Sequence, residues 1–406
     1  MDRAAHIARN PVFQSAAPAY NRVMTWMWTG LAGASLAAWV WLLLCRGGFW
    51  QVGERLNREY AAPNGSWPTV TVVVPARDEA GVIGSALRAL AAQDCAGRTK
   101  IVVVDDGSTD GTAALAPAAL AGAAAEIVAG SPPPPGWTGK LWALEQGVAR
   151  AAPETRYLWL SDADVVHAPE TLRRLVGKAE ADCVDLVSLM VRLRTETAWE
   201  KLLIPAFVFF FQKLYPFARV NDDASATAAA AGGCVLVRGA ALARIGGLAT
   251  IRNELIDDCA LAREIKREGG IWLGLADGSC SIRPYFGLAD IWSMVARTAF
   301  HQLGYSAIVL AATAAGMPVL YLAPPLAVIL WPLHGVDGAL VLGALGWLAI
   351  AGCYRPTSRF HGRAWWEAAM LPLVALFYTA MTVDSARRHW LGRGGMWKAR
   401  SFAPEA

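Results

Sequence analysis

At 406 residues the chain can form one large domain or two ordinary ones, and an apolar content of 55% with a mean hydropathy of +0.33 is too high for a protein that lies wholly in water. A net charge of +4, carried by scattered basic residues, argues against a nucleic-acid partner and needs no more than an ordinary positive membrane face. The seven cysteines include no C-x-x-C pair, which argues against a zinc site or a disulfide framework and reads as reduced thiols.

The first predicted element is the uncharged run from Met24 to Cys45, with Trp near both ends. It is longer than the apolar part of a signal peptide and no small-residue cleavage site follows, so it reads as a transmembrane anchor. From residue 66 to 302 the polarity is ordinary and strands alternate with helices, which predicts an α/β domain with a doubly wound, mostly parallel sheet and helices on both faces. Val70 to Pro75 is a β-branched run without polar alternation, as a strand covered on both faces requires, and helical periodicity follows from Glu79 to Ala92. A second strand, Lys100 to Asp105, ends in Asp106-Gly107-Ser108-Thr109-Asp110-Gly111, where glycine and Asx residues supply a tight turn and a helix cap. An alanine-rich helix from Thr112 to Ala125 and a third strand, Glu126 to Ala129, come next.

Four prolines, 132 to 135, stiffen the loop before Gly136-Trp137-Thr138-Gly139-Lys140, which places Lys140 at the start of a helix beside free N–H groups, an arrangement suited to diphosphate. Tyr157 to Asp164 then reads as a buried strand running into Asp162 and Asp164. Two carboxylates at that spacing, at the carboxyl end of a strand, can hold a hard cation that already carries phosphate oxygens. Leu202 to Phe217 is apolar but short and broken by proline, consistent with an interfacial helix or a core helix. Asn221-Asp222-Asp223 has no strand before it and reads as a solvated loop, whereas Gly232-Gly233 precedes an apolar strand and admits a close backbone approach. Gly246-Gly247 reads as a helix stop, and Asp257 and Asp258, taken alone, as first-turn acids of a helix.

Three further apolar runs follow: 306 to 331, transmembrane or re-entrant because of Pro318, Pro324 and Pro325; 338 to 354; and 366 to 384. Three arginines between Arg355 and Arg363 fit a return to the cytoplasmic side. One span before the domain and three after it would, however, put the basic tail (Arg387, Arg388, Arg393, Lys398 and Arg400) outside, so either the proline-rich segment is re-entrant or the tail violates the positive-inside rule.

The ordered series PARDE (75 to 79), VVVDDGSTDGT (102 to 112), GWTGKLWAL (136 to 144), LSDAD (160 to 164) and IDDCALAREI (256 to 265) resembles glycosyltransferase family 2, inverting enzymes of the GT-A fold. Within it, the membrane-flanked layout and the GWTGK and NELIDDCALAREIK segments look most like the hopene-associated glycosyltransferases of bacterial hopanoid clusters. The resemblance implies a nucleotide-sugar donor held by Pro75, Arg77, Glu79, Asp105, Asp106, Lys140, Asp162 and Arg297, with Asp106 favoured over Asp105 at the base or ribose. It further implies that Asp164 ligates Mg²⁺ or Mn²⁺ with Asp162 as its companion, and that Asp258, beside Asp257, is the base. The implied acceptor is a lipid hydroxyl, a hopanoid, and the implied place is the bacterial inner membrane, multi-pass, with the catalytic domain on the cytoplasmic side.

The chain departs from the family pattern with Asp78 for Asn, Asp257 for Glu, and Met294 and Thr298 where membrane-bound relatives carry Gln and Trp of a Q-x-x-R-W signature. The last departure argues against a processive polysaccharide synthase. The intact set Asp106, Asp162, Asp164 and Asp258 argues against a non-catalytic scaffold, while ceramide, carotenoid and polyprenyl phosphate stay open as other lipid acceptors.

Overall fold

The computed structural model describes residues 11–393, so Lys398 and Arg400 of the basic tail lie outside the described residues. The chain divides into two compact units: residues 1–46 with 306–383, and residues 47–305 with 384–406.

The first unit holds helices rich enough in apolar residues and long enough to cross a membrane. Together with the helix end that continues into the second unit, four such segments are present among the described residues: Arg22–Cys45, Ala307–Ile329, Asp337–Phe360 and Trp365–Trp390. The proline-rich one keeps a helical path by switching from α-helix (Ala307–Met317) to a π-helical turn (Pro318–Leu322) and back (Ala323–Ile329). Pro324 has no N–H to offer the carbonyl four residues earlier, that of Leu320. Ser35 Oγ and Trp39 Nε1 of the first helix donate to that carbonyl at 2.9 and 2.8 Å, so the break in the ladder becomes a bond between helices.

The second unit is built on an eight-stranded sheet: β1 Val70–Ala76, β2 Thr99–Asp105, β3 Ala125–Ala129, β4 Tyr157–Ser161, β5 Val165–His167, β6 Leu186–Arg192, β7 Cys234–Arg238 and β8 Ile271–Ser281, in spatial order β3-β2-β1-β4-β7-β6-β8-β5. Four of the seven neighbouring pairs are parallel, and β7 and β5 run against their neighbours. Both faces are covered. Val70, Val72 and Val74 pack with Ile83, Leu87 and Leu175 on one side, while Val102, Val104 and Val128 pack with Ala143 on the other, the period-2 division of a buried strand.

Chain order sets the place of the site. β1 continues outward to β2 and β3, then the chain returns to lay β4 on the opposite flank of β1, so the switch point lies between β1 and β4. The β1–β4 register ends at Val73↔Leu160, two residues short of Pro75, whose missing N–H leaves nothing to extend the ladder. β6 and β8 run in the same direction as β1 and β4, so the carboxyl end of β8 reaches the same sheet edge. His167, buried, ties that corner through 2.9 Å bonds with Ser161 Oγ and Ser279 Oγ, and burial pushes its pKa down to about 3, keeping it neutral.

Several elements are shorter than their periodicity predicts. The first domain helix begins at Ile83, after Val82 at φ −130°, while the N–H groups of Glu79 and Ala80 donate to Thr112 Oγ1 and Asp110 Oδ2 of the neighbouring loop. The alanine helix ends at Ala119, and Gly122 at φ 85° turns the chain into β3. Leu202 to Phe217 falls mostly within a helix, Ala198–Leu214, whose Leu203, Ile204, Ala206, Val208 and Phe209 are buried. Asn221, expected in a solvated loop, is instead partly buried: it exchanges bonds of 2.7 and 3.1 Å with the backbone of Leu273 and donates to Glu54, anchoring β8.

Gly147 makes the closest helix-to-sheet approach near the site, since a Cβ there would lie 2.3 Å from Val73 Cγ1. Gly147→Ala is expected to lower stability by about 1–3 kcal/mol through overpacking, read as a fall in the thermal midpoint of the purified protein. An unchanged midpoint would show that the helix carrying Lys140 is free to shift.

Candidate active site

The loops after β1 and β2 are stapled to each other before any ligand is considered. Asp106 N donates to Ala76 O at 2.8 Å, and Arg77 Nη1 donates to Asp106 O at 2.6 Å and Oδ2 at 3.3 Å. Asp78 adopts φ 49°, a region that Asp and Asn tolerate better than most residues, which accounts for the interchange of those two at this position. Its Oδ1 accepts from Thr109 N at 2.8 Å and its N–H donates to Ser108 Oγ at 3.0 Å. Asp105 Oδ2 accepts from Ser108 N, but Asp105 Oδ1 is buried with no hydrogen-bond partner, and Arg77 Nε meets only Asp78 Oδ2 at 3.9 Å. A buried acceptor without a donor is costly unless a ligand completes it.

Across the switch point, Thr138 caps the helix Gly139–Val148 and places Lys140 in its first turn. A cation there opposes the helix dipole, so local helix stability does not explain it. Acid does: Lys140 Nζ lies 3.0 Å from Asp162 Oδ1 and 3.5 Å from Asp257 Oδ2. Burial works against the ammonium, but Asp162, Asp257 and Asp258 outweigh it and hold the Lys140 pKa above its ordinary value. Burial also pushes the Asp162 carboxyl up, partly offset by Lys140.

Asp257 and Asp258 open the helix Asp257–Lys266. Asp258 Oδ2 accepts from Gly232 N and its Oδ1 from Cys259 N, both at 2.7 Å. A Cβ on Gly232 would stand 3.1 Å from Lys140 Nζ and 3.2 Å from Asp258 Oδ2, so glycine is what lets the loop before β7 approach both charges. Burial, then the neighbouring Asp257, raise the Asp258 pKa to about 6 against the pull of Lys140 and the two N–H groups. The cluster lines a pocket whose other walls include Pro75, Leu144, Leu160 and Leu261.

A second centre joins Glu79 and Asp164, both expected from the sequence, to Arg283, which was not. Arg283, just after β8, donates from Nη2 to Glu79 Oε1 at 2.5 Å and from Nε to Asp164 Oδ2 at 3.1 Å, and Ser281 Oγ donates to the same Asp164 oxygen at 2.7 Å. Asp162 and Asp164 each keep one carboxylate oxygen without a partner among the described residues. The described residues contain no group of three or more His, Cys, Asp or Glu placed to hold a metal ion. Two carboxylates fit a divalent cation that completes its shell with water and phosphate oxygens. Arg297 is exposed on the helix Leu288–Gln302 and acts on Tyr285, whose hydroxyl also feels Arg283 and Asp164. His301 instead faces Glu254 at 3.7 Å.

A Rossmann-like mixed sheet with its acidic residues gathered at the strand ends around the switch point defines a nucleotide-handling α/β protein. The chain belongs to the family described as glycosyltransferase like family 2, which it matches over residues 68–276. No curated protein matches it. Among solved structures it is similar to a mannosyltransferase from Pyrobaculum calidifontis in complex with GDP-Man and Mn²⁺ (20% identity, 94% of this chain and 99% of that one, TM-score 0.49). It is also similar to glucosyl-3-phosphoglycerate synthase from Mycobacterium tuberculosis in complex with uridine diphosphate (19% identity, 58% and 79% covered, TM-score 0.38). A third such structure is S. aureus TarS 1–349 (14% identity, 80% and 92% covered, TM-score 0.38).

Because the Asp258 pKa in the folded chain, about 6, lies above its ordinary value of 3.8, folding penalises the charged form. Its contribution to stability is full below the lower value and is lost as pH rises through the higher one, a loss on the order of 3 kcal/mol. Unfolding midpoints measured from pH 4 to 7 should therefore fall in the wild type and fall less in Asp258→Asn. Parallel curves would place the raised pKa elsewhere.

Proposed function

We propose that this family 2 transferase is a membrane-bound, metal-dependent, inverting enzyme that moves a sugar from a nucleoside-diphosphate donor, a uridine diphosphate sugar, to a lipid hydroxyl, that of a hopanoid. The observation that carries the reading is the position of Asp258: a carboxylate of raised pKa, fixed by two backbone N–H groups, facing the pocket that Asp162 and Lys140 share. In direct displacement the acceptor oxygen attacks the anomeric carbon from the face opposite the diphosphate, so the reaction needs a base that can reach the acceptor hydroxyl.

Each residue of the cluster has a part in that scheme. Asp105 and Asp106, with Arg77, receive the nucleobase and ribose at the end of β2, where Asp105 Oδ1 lacks a donor. Lys140, already charged and held by Asp162 and Asp257, binds the diphosphate and steadies the charge that grows as it leaves. Asp164, with Asp162 beside it, would hold Mg²⁺ or Mn²⁺, which when bound neutralises diphosphate charge as a Lewis acid. Asp258 takes the acceptor proton. Glu79 is held by Arg283 near the donor loop, and Asp257 keeps Lys140 in place.

The apolar helices support membrane attachment, and a cytoplasmic catalytic unit suits a nucleotide-sugar donor. From Asp384 onward the last helix belongs to the catalytic unit: Trp292 Nε1 donates to Asp384 Oδ2 at 2.8 Å and Phe300 N to Ser385 Oγ at 3.0 Å. That favours an even number of crossings between Tyr305 and Asp384, one apolar segment entering and leaving on the same side, and a basic tail on the cytoplasmic face as the positive-inside rule prefers. The hopanoid acceptor rests on the sequence resemblance.

Comparative lipid mass spectrometry of the host, with the gene intact, deleted, or restored as wild type or Asp258→Asn, tests the proposal. One glycosylated hopanoid should vanish on deletion and return only with the wild type; loss of a different glycolipid would overturn the acceptor. With purified protein, Asp258→Asn should keep donor binding and lose transfer by a factor on the order of 10²–10⁴. The wild-type kcat/KM should fall below pH of about 6 as Asp258 protonates. Transfer by Asp258→Asn at near the wild-type rate would exclude this residue as the base.

A further inference from the structure

We infer that Arg283 is a stand-in cation for the divalent ion at Asp164, a positioning residue that makes metal binding conditional on the donor. The inference rests on the proposed role of Asp164 as metal ligand. Arg283 leaves the end of β8 at the sheet edge where β4 delivers Asp164, and β5 pairs with β8 through Val165↔Ser281, so the two side chains are brought together by strand register rather than by a flexible loop. One guanidinium spans two acids from opposite parts of the sequence, Glu79 after β1 and Asp164 after β4. Asp164 is buried and Glu79 nearly so, and the charge of each would be costly without this partner.

The consequence is electrostatic. A divalent ion approaching Asp164 alone meets a carboxylate whose charge is already matched and a guanidinium that repels it. A nucleoside diphosphate changes the balance, because its negative oxygens offer the guanidinium a second set of acceptors and the metal its remaining ligands. Metal and nucleotide then bind with mutual enhancement, and neither arrives strongly by itself. Lys140 does not perform this task, because its ammonium is committed to Asp162 and Asp257.

The test uses full-length protein in detergent and the electron paramagnetic resonance signal of free Mn²⁺, titrated with protein alone and with uridine or guanosine diphosphate present. Wild type should bind Mn²⁺ weakly alone and far more tightly with diphosphate. Arg283→Gln, which keeps a hydrogen-bond donor but removes the charge, should bind Mn²⁺ alone about tenfold more tightly or better and show a reduced enhancement by diphosphate. Arg283→Lys, which restores the charge, should return toward wild type, a rescue that a purely structural role would not produce in a variant of unchanged thermal midpoint. If Arg283→Gln and wild type bind Mn²⁺ alone equally well, the stand-in role is wrong. If wild type shows no Mn²⁺ binding even with either diphosphate, or Asp164→Asn leaves it untouched, it is the metal reading of Asp164 that fails instead.

Discussion

One half-buried ammonium carries much of this site. Three aspartates, 162, 257 and 258, come from two different elements to the mouth of one pocket, and their charges would repel without Lys140 among them. The geometry that allows it depends on small residues: Gly147 lets the lysine helix lie against Val73, and Gly232 lets the loop before β7 pass between Lys140 and Asp258. Thr138 fixes where that helix starts, and therefore the depth at which the ammonium sits. A displacement of any of these would separate charges that are stable only together, so packing and electrostatics cannot be assigned to different parts of the molecule.

The same edge of the sheet gathers the second set of charges because strand direction leaves them no other place. β1, β4 and β8 all end there, delivering Glu79, Asp164 and Arg283 in turn. The antiparallel strand β7 has the opposite effect: it begins at this edge, so what it contributes is the backbone N–H of Gly232 and not a side chain. A wholly parallel sheet would have no strand entering here, and Asp258 would lack that donor. Mixed topology is thus part of how the base is held.

The sequence was most legible where chemistry and periodicity coincide. β1 and β2 stood out as β-branched runs, and the motifs that follow β1, β2 and β4 lie together because parallel strands carry their ends to one side. The helix after β1 starts at Ile83 and not at Glu79, because Val82 at φ −130° stands outside helical geometry, which periodicity does not register. Arg283 carried no local signal: a lone arginine before a proline acquires meaning only once the register of β5 on β8 is known. Asn221 was misjudged for a related reason, since its carboxamide copies a strand's hydrogen bonds to Leu273, and composition sees only a polar loop. Arg297, which matches a motif, acts electrostatically on Tyr285, as Arg283 and Asp164 do.

The raised pKa of Asp258 is a balance with opposed parts, and each part has a separate origin in the fold. Burial and Asp257 favour the proton; Lys140 and the N–H groups of Gly232 and Cys259 favour the charge. Without the favouring groups the carboxyl would stay protonated at neutral pH and could not accept a proton; without burial it would be too weak a base to matter. The value near 6 leaves it ionised at the working pH of a cell while keeping as much proton affinity as ionisation permits, which is the compromise general-base catalysis rewards. In the proposed scheme Lys140 serves both sides of that compromise, since the charge that stabilises ionised Asp258 is also the charge that would receive the diphosphate. Donor binding would then draw part of that charge away from Asp258 and strengthen it as the proposed base.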